Sequence, residues 1–411
     1  MAKKVRRDPK GRILQKGETY KKDRKLYCFS YTDPFGNRGN FYAKDLPQLR
    51  DKEKALLKDR MDGLDLYTRG RADINFVFDR YISTKNELRS TTMTNYVYTY
   101  DHFVRSGFGK KKIAEVKYSD VLLFYNKLLE QGIKVNTLDS VHTVLHPTFQ
   151  LAVRDKIITN NPSDGVMAEI KKKDGKNKGI RHALEIEEAR AFLNYLDKPG
   201  NIRWKPLFVV LFGTGCRIGE VIGLRWEDID LDNRMITINH SVTYYPRIEN
   251  SYKCEFEVSL PKTEAGIRTI PMLDEVYDAF IQEKELQEYT GEHCTMEVGG
   301  MKDFIFCNRF NNLHNPQGIN RAIKRIVNDH NQEEIIKAKR EKREPLIIPQ
   351  FSCHITRHSF CSRLCENDTN VKVIQSVMGH KDIQTTLDIY AEVSDKKKKD
   401  VFDELNRRNI F

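Results

Sequence analysis

Several side chains in the second half of the chain are of types that, brought together, can hold an anion and move protons around it. Arg217 stands in GTGCRIGEVIGL, where Thr214 is a natural cap and Ile218, Val221 and Ile222 form an apolar stripe. That pattern predicts a helix with Arg217 in its first turn, beside unpaired N–H groups and the positive dipole end, a place suited to an oxyanion. An arginine there also has a plainer use, pairing with an acid one turn on, here Glu220. Lys262 lies in LPKTEAGIRTIPM, between two strand-like pieces. On a hairpin tip its ammonium can reach into a site and give up a proton, although most turn lysines are simply solvated. In SCHITRHSF, His354 and Arg357 are three residues apart and share one helix face, with Ser352 as a candidate cap. An arginine and an imidazole placed there would neutralise a phosphate and grip it bidentately. In VKVIQSVMGHKDIQTTLDIY, Val371, Ile374, Val377 and Met378 mark a buried stripe that ends at Gly379. His380 follows directly, and Tyr390 lies further on in a second short helix. Each signal alone is weak.

The elements that must position these groups are predominantly helical. From about residue 180 the pattern gives helices at 184–196, 206–212 and 274–287 and strands at 235–239, 256–260 and 269–272. Upstream, 73–170 reads as wholly helical, with segments near 74–82, 91–106, 119–131 and 136–155. Ser119 and Asp120 are candidate caps for the third. Residues 20–60 read as a small β-then-α unit: KLYCFSYT alternates, DPFGN supplies turn residues, and NFYA returns as a second strand. A helix follows from Leu46, with Leu49, Leu56, Leu57 and Met61 on one side. KKKDGKNKG at 171–179 reads as a basic linker. A long charged stretch containing KAKREKREP separates Phe306 from His354. The fold expected is multi-domain and mainly α with small antiparallel sheets. Its divisions are 1–67, 73–170, the linker 171–179, an α+β unit at 180–395, and a tail helix at 396–411.

Composition narrows the class. The chain has 411 residues, a hydrophobic share of 39% and a net charge of +12. Residues 1–60 hold 18 Lys and Arg against 8 Asp and Glu, so nearly all the excess charge sits in that module. A basic module on a balanced chain suits a polyanion, nucleic acid being the commonest. There is no apolar run of the roughly 20 residues a membrane helix needs. The charged start lacks a signal-peptide core, so the expectation is a cytoplasmic protein. The eight cysteines show no CxxC pair and are expected as reduced thiols. The cluster Cys353, His354, His358, Cys361 and Cys365 lacks the spacing of a zinc site, and no metal or cofactor is expected.

Taken in order, TGCRIGE, PKTEAGIRTIP, HITRHSF and MGHKDIQTTLDIY resemble the motifs of the tyrosine recombinase (lambda-type phage integrase) family, nearest to the integrases of conjugative transposons. The resemblance spans about 180–395. It implies that 73–170 is a core-binding DNA domain and 1–67 an arm-type DNA-binding domain. It further implies a clamp of Arg217 and Arg357 on the scissile phosphate, completed by His354. Lys262 would be the general acid for the leaving 5′-oxygen, His380 a phosphate hydrogen-bonder, and Tyr390 the nucleophile. Glu220 and His358 would be supporting residues. Thr356 and Cys216 depart from the usual residues at their positions without removing a needed group.

The implied reaction is site-specific cleavage and rejoining of double-stranded DNA through a 3′-phosphotyrosyl link and a Holliday junction. It would integrate or excise a mobile element. Arm and core sites would be bound together, by a homotetramer assembled on DNA. An excisionase or host DNA-bending protein would be further partners. The tail, with Val401, Phe402, Leu405 and Ile410 apolar, would pack on a neighbouring subunit. Consistent with ATP-free rejoining, no GxxxxGK[ST] loop is present, and no acidic cluster suggests a Mg²⁺ site. A type IB topoisomerase-like relaxing enzyme shares this chemistry. A non-catalytic DNA-binding regulator would normally have lost a catalytic residue.

Overall fold

The computed structural model describes residues 6–32, 38–61, 71–174, 183–248, 250, 252–261, 266–367 and 369–391. The chain divides into two compact units, Met1–Lys178 and Gly179–Phe411.

In the first unit β1 (Glu18–Lys21), β2 (Leu26–Thr32) and β3 (Arg38–Ala43) form an antiparallel sheet in that order. Helix α1 (Leu46–Met61) turns Leu46, Leu49 and Leu56 towards Tyr27, Phe29 and Ala43 of the sheet. Strand β1 escaped the sequence pattern because ETYK does not alternate apolar and polar residues. Its Glu18 carboxylate is buried and paired with Arg50 of α1 at 2.9 Å.

A helical core follows, made by α2 (Ile74–Ser83), α3 (Ser90–Tyr100), α4 (Tyr118–Glu130), α5 (Val135–Arg154) and α6 (Val166–Asp174). Asp73 caps α2 by accepting from the Phe76 N–H at 2.8 Å. Asp120 serves α4 from the first turn, accepting from the Lys117 N–H at 3.0 Å, so Ser119 is not the cap. The expected linker is corrected at its start. Lys171, Lys172 and Lys173 form the last turn of α6, where Lys171 pairs with Asp139 and Lys173 with Glu169. Lysine is a good helix former, and cations suit a helix C-terminus.

The second unit begins with α7 (Ile186–Tyr195), α8 (Lys205–Thr214) and α9 (Ile218–Gly223). Strands β4 (Ile229–Asp230), β5 (Met235–Ile238) and β8 (Arg268–Pro271) form an antiparallel sheet in that order. Strands β6 (Ser241–Arg247) and β7 (Lys253–Ser259) pair separately as a two-stranded ribbon. Helices α10 (Asp274–Thr290), α11 (Pro316–Glu341), α12 (Cys353–Glu366) and α13 (Val371–Met378) follow, then α14 over 383–391. One core joins Phe192, Phe208, Leu211, Val221, Ile236, Ile270 and Phe280 to Ile323 and Ile326 of α11. Each such buried side chain contributes about 1.5–3 kcal/mol.

Two expectations change here. The strand before Lys262 pairs with β6 and the strand after it with β5, so the two do not make a hairpin with each other. The charged stretch before His354 is largely α11, capped by Asn315, which accepts from the Gly318 N–H at 2.6 Å. Its inner stripe ends at Val327, and only Ala338 is buried beyond it, which hid its length from the apolar pattern.

Candidate active site

The site is built where α8 hands over to α9. Thr214 closes α8: its hydroxyl donates to the Val210 carbonyl at 2.7 Å and accepts from the Cys216 N–H at 3.2 Å. It therefore does not cap α9. Gly215 has φ 62°, and a Cβ there would collide with the Phe360 ring of α12. The turn delivers Arg217 as the N-cap residue of α9, just before the first turn rather than within it. Its side chain is 46% exposed, and its Nη1 donates to Glu220 at 2.8 Å.

Glu220 is buried and serves two arginines. It accepts from the Arg217 backbone N–H at 2.8 Å and from Arg268 Nη2 at 2.8 Å. Burial alone would raise its pKa, but the bonds from Arg268 and Arg217 outweigh it and keep the carboxylate below its ordinary value.

At the start of α12, Ser352 occupies the N-cap position without a side-chain cap bond; Asn320 Oδ1 accepts from the Cys353 N–H at 3.0 Å instead. His354 lies exposed in the first turn, while Arg357, one turn on, is only 4% exposed. Arg357 donates from Nη1 to the Gly215 carbonyl at 2.8 Å and from Nη2 to the Met378 carbonyl at 2.6 Å. Among the described residues no carboxylate pairs with it. Burial, and then the neighbouring Arg217 charge, push its pKa down to about 10, which still leaves a cation at neutral pH. His358 is half-buried, with Ser362 Oγ 3.4 Å from its Nδ1.

The end of α13 joins these pieces. Gly379 takes the left-handed conformation at φ 63° and ends the helix, as its position in the sequence suggested. Three consecutive carbonyls there each accept from an arginine: Val377 from Arg268 Nε at 2.7 Å, Met378 from Arg357 Nη2 at 2.6 Å, and Gly379 from Arg217 Nη2 at 3.2 Å. The unpaired carbonyls and negative dipole end of a helix favour such cations. His380 follows, buried, with Nδ1 2.9 Å from Thr386 Oγ1 of α14. Burial first, then the charges of Arg357, Arg217 and Arg268 and of His354, lower its pKa to about 4, so the ring is neutral at physiological pH. Tyr390 is half-buried on α14, packed with Cys361, Cys365, Ile374 and Met378. It thus shares its apolar support with the residue whose carbonyl holds Arg357.

Arg217, Arg357, His380 and Glu220 are therefore gathered at one turn, with His354 close enough to act on His380. Lys262 lies outside the described residues. The ends of its loop are close together, since a Cβ on Gly266 would stand 2.6 Å from Pro261 Cβ. Three guanidiniums and one carboxylate meet here, an excess of two positive charges suited to a phosphodiester. Among the described residues no group of three or more His, Cys, Asp or Glu is arranged to hold a metal ion. Cys353, Cys361 and Cys365 are buried in apolar clusters.

Two residues at the site went unread in the sequence, Arg268 and Thr386. Alternation along IRTIPM carried a signal for the first. It puts Arg268 on the inner face with Ile270, and a charge on a core face needs a partner.

Both units of the chain are similar to known proteins. Residues 182–397 match the model of the phage integrase family, and residues 1–60 match the DNA binding domain of Tn916 integrase. The transposase from transposon Tn916 of Enterococcus faecalis is 28% identical over 402 residues, covering 95% of this chain and 94% of that one. The ICEBs1 integrase of Bacillus subtilis is 24% identical, covering 76% of each. The fold is similar to that of the Tn1549 transposon integrase solved in complex with a circular intermediate DNA. There the TM-score is 0.68 at 23% identity, covering 80% of this chain and 99% of that one. A lambda integrase dimer bound to a core site gives a TM-score of 0.53 at 17% identity, covering 92% and 95%.

Proposed function

We propose, from the premise that this chain belongs to the phage integrase family of tyrosine recombinases, that it cuts and rejoins double-stranded DNA at specific sites to integrate or excise a mobile element. The observation carrying the proposal is the convergence of Arg217, Arg357 and His380 on the Gly379 turn, beside the helix that bears Tyr390.

In this reading Arg217 and Arg357 take the two non-bridging oxygens of the scissile phosphate. They stabilise the charge that builds as the phosphorus is attacked, and they stay protonated throughout. The Arg357 guanidinium is already positioned by two carbonyls, so little reorganisation is needed when the anion arrives. Tyr390 Oη attacks phosphorus, its phenol proton passing to His354, and the bond from phosphorus to the 5′-oxygen breaks. Lys262 gives the leaving oxygen its proton. His354 completes the clamp and assists proton transfer, and the neutral His380 hydrogen-bonds a phosphoryl oxygen. Glu220 and His358 support the set. A 3′-phosphotyrosyl link and a free 5′-hydroxyl result, and attack by a 5′-hydroxyl from a partner strand reverses the step. Two rounds give a Holliday junction and its resolution, with bond energy conserved in the covalent link.

The remaining assignments extend this reading. Residues 1–67 would bind arm-type sites and 73–170 core-type sites, and the protein would act in the cytoplasm as a homotetramer on DNA. Excisionase or host bending proteins would bias its direction. The tail at 396–411, outside the described residues, would bridge neighbouring subunits; deleting it should abolish tetramers on DNA while the catalytic unit stays folded. No helix among the described residues is long and apolar enough to cross a membrane.

Incubating two duplexes carrying candidate attachment sites, without metal or ATP, tests the function. Joint molecules and reciprocal products are expected. Relaxation of supercoils without any exchange of partners would favour the topoisomerase-like alternative. Tight binding with neither reaction would favour a regulator.

A further inference from the structure

Of the three arginines at the α13 terminus, Arg268 has no role in the chemistry above. Its side chain is 4% exposed, so it has almost no surface with which to touch DNA. All its strong bonds are internal. Nη2 and Nη1 reach the two Glu220 oxygens at 2.8 and 3.3 Å, and Nε donates to the Val377 carbonyl at 2.7 Å. Nη2 also lies 3.7 Å from Cys216 Sγ, one residue before Arg217. The guanidinium lies against the turn itself: a Cβ on Gly379 would stand 3.0 Å from its Nη1 and 3.2 Å from its Cζ.

These contacts have an electrostatic consequence for Arg217. Glu220 is a buried carboxylate whose Oε1 also accepts from Arg217 Nη1. Were Arg217 its only partner, the pair would be neutral and Arg217 would have little charge left to offer a phosphate. A second guanidinium on the same carboxylate restores the excess. Through Nε the same side chain holds the helix end on which Gly379 and His380 stand.

We infer that Arg268 is a positioning residue for strand cleavage. It occupies Glu220 so that Arg217 remains available to the phosphate, and it fixes the α13 terminus that carries His380. This rests on the reading of Arg217 as part of the phosphate clamp.

The test uses the full chain and a nicked substrate that traps the covalent intermediate. Cleavage rate and DNA affinity are measured for Arg268→Met, Arg268→Lys and the double variant Arg268→Met/Glu220→Gln. Arg268→Met should bind duplex DNA as the parent does but cleave about 100-fold more slowly, the scale of loss for a misplaced catalytic group. Removing the Glu220 charge from that variant should recover about tenfold, because Arg217 is no longer neutralised. Arg268→Lys keeps the charge but cannot span Glu220 and the Val377 carbonyl together, and should fall between. The acid limb of the cleavage pH profile should move to higher pH in Arg268→Met, since one cation near His380 is gone, and stay in place in Arg268→Lys.

A double variant no faster than Arg268→Met, or a loss of cleavage in Arg268→Met that merely follows its loss of thermal stability, would show a role in folding alone, and either result would overturn the inference. Wild-type cleavage by both Arg268 variants would do the same. If Arg268→Met does not fold, Arg268→Lys alone and with Glu220→Gln decides by the same sign. The underlying reading is tested separately with Arg217→Ala. Cleavage at the parent rate there would remove the clamp itself, whereas an inactive Arg217→Ala beside fully active Arg268 variants would remove only the positioning role.

Discussion

Replacing Gly379 with alanine probes the turn on which the clamp depends. Gly379 sits at φ 63°, and its missing Cβ faces the Arg268 guanidinium at 3.0–3.2 Å. A left-handed backbone costs an alanine roughly 1–2 kcal/mol. The guanidinium is buried and fixed by Glu220 and Val377, so it cannot simply swing aside, and overpacking of this kind adds about 1–3 kcal/mol. A total near 3 kcal/mol should lower the melting temperature of a unit as large as Gly179–Phe411 by about 6–12 °C. The turn also carries the carbonyl that holds Arg217 and precedes His380, so single-turnover cleavage of a nicked substrate should fall about 100-fold at permissive temperature. Gly379→Asn separates the two effects. Asparagine tolerates the left-handed region better but brings the same Cβ, so it should regain stability without regaining rate. An alanine variant that melts and cleaves like the parent would refute the reasoning. An asparagine variant with full activity would show that crowding against Arg268 is unimportant.

Further outcomes follow from other parts of the structure. His380 is held to a pKa of about 4 against an ordinary 6.5, by burial and then by the arginine charges, so the folded state binds its proton less readily than the unfolded chain does. Its stabilising contribution, on the order of 3 kcal/mol, is complete above pH 6.5 and is lost as pH falls towards 4. Partly buried His314, also lowered to about 4 by desolvation, behaves alike, so His380→Asn should flatten only part of the acid-side loss in denaturant unfolding curves; a His380 ring titrating near 6.5 by NMR would contradict this. Arg50→Ala leaves the Glu18 carboxylate buried without its partner, at a cost of about 3–5 kcal/mol. Limited proteolysis should then cut within residues 1–60 while sparing the catalytic unit, and an unchanged pattern would show the pair to be dispensable. Deleting residues 1–60 should reduce the salt dependence of binding to arm-site DNA without slowing cleavage at a core site, and a core-cleavage defect would refute the separation of the two roles.

The catalytic unit was legible in the sequence because its chemistry sits at points where local rules speak. Gly379 marks a helix end whatever surrounds it, and His354 and Arg357 share a helix start by spacing alone. The stripe through Ile374 and Met378 identifies a buried face without knowledge of its partner. What could not be read is long-range. Nothing local says that the strands flanking Lys262 belong to different sheets, because β6 pairs with β7 through residues with weak alternation. Thr214 looked like the cap of α9, yet the left-handed Gly215 inserts a turn that hands Thr214 to α8 and leaves Arg217 at the cap position. Alternation along β8 marks Arg268 as inward-facing, but its partners Glu220 and Val377 are distant in sequence and could not be read. Helix α11 was obscured because beyond Val327 charged residues predominate and only Ala338 is buried, so helix propensity more than burial sustains its outer half.

The most direct measurement uses a nicked DNA substrate bearing a candidate attachment site, incubated with the parent protein and with Tyr390→Phe, without metal or ATP. The mixtures are resolved on a denaturing gel. A slow-migrating protein–DNA adduct from the parent alone, mapped by peptide mass to Tyr390 and to a 3′-phosphate, is the predicted result. An adduct that persists in Tyr390→Phe would contradict the assignment of the nucleophile, and cleavage that requires added Mg²⁺ would contradict the mechanism.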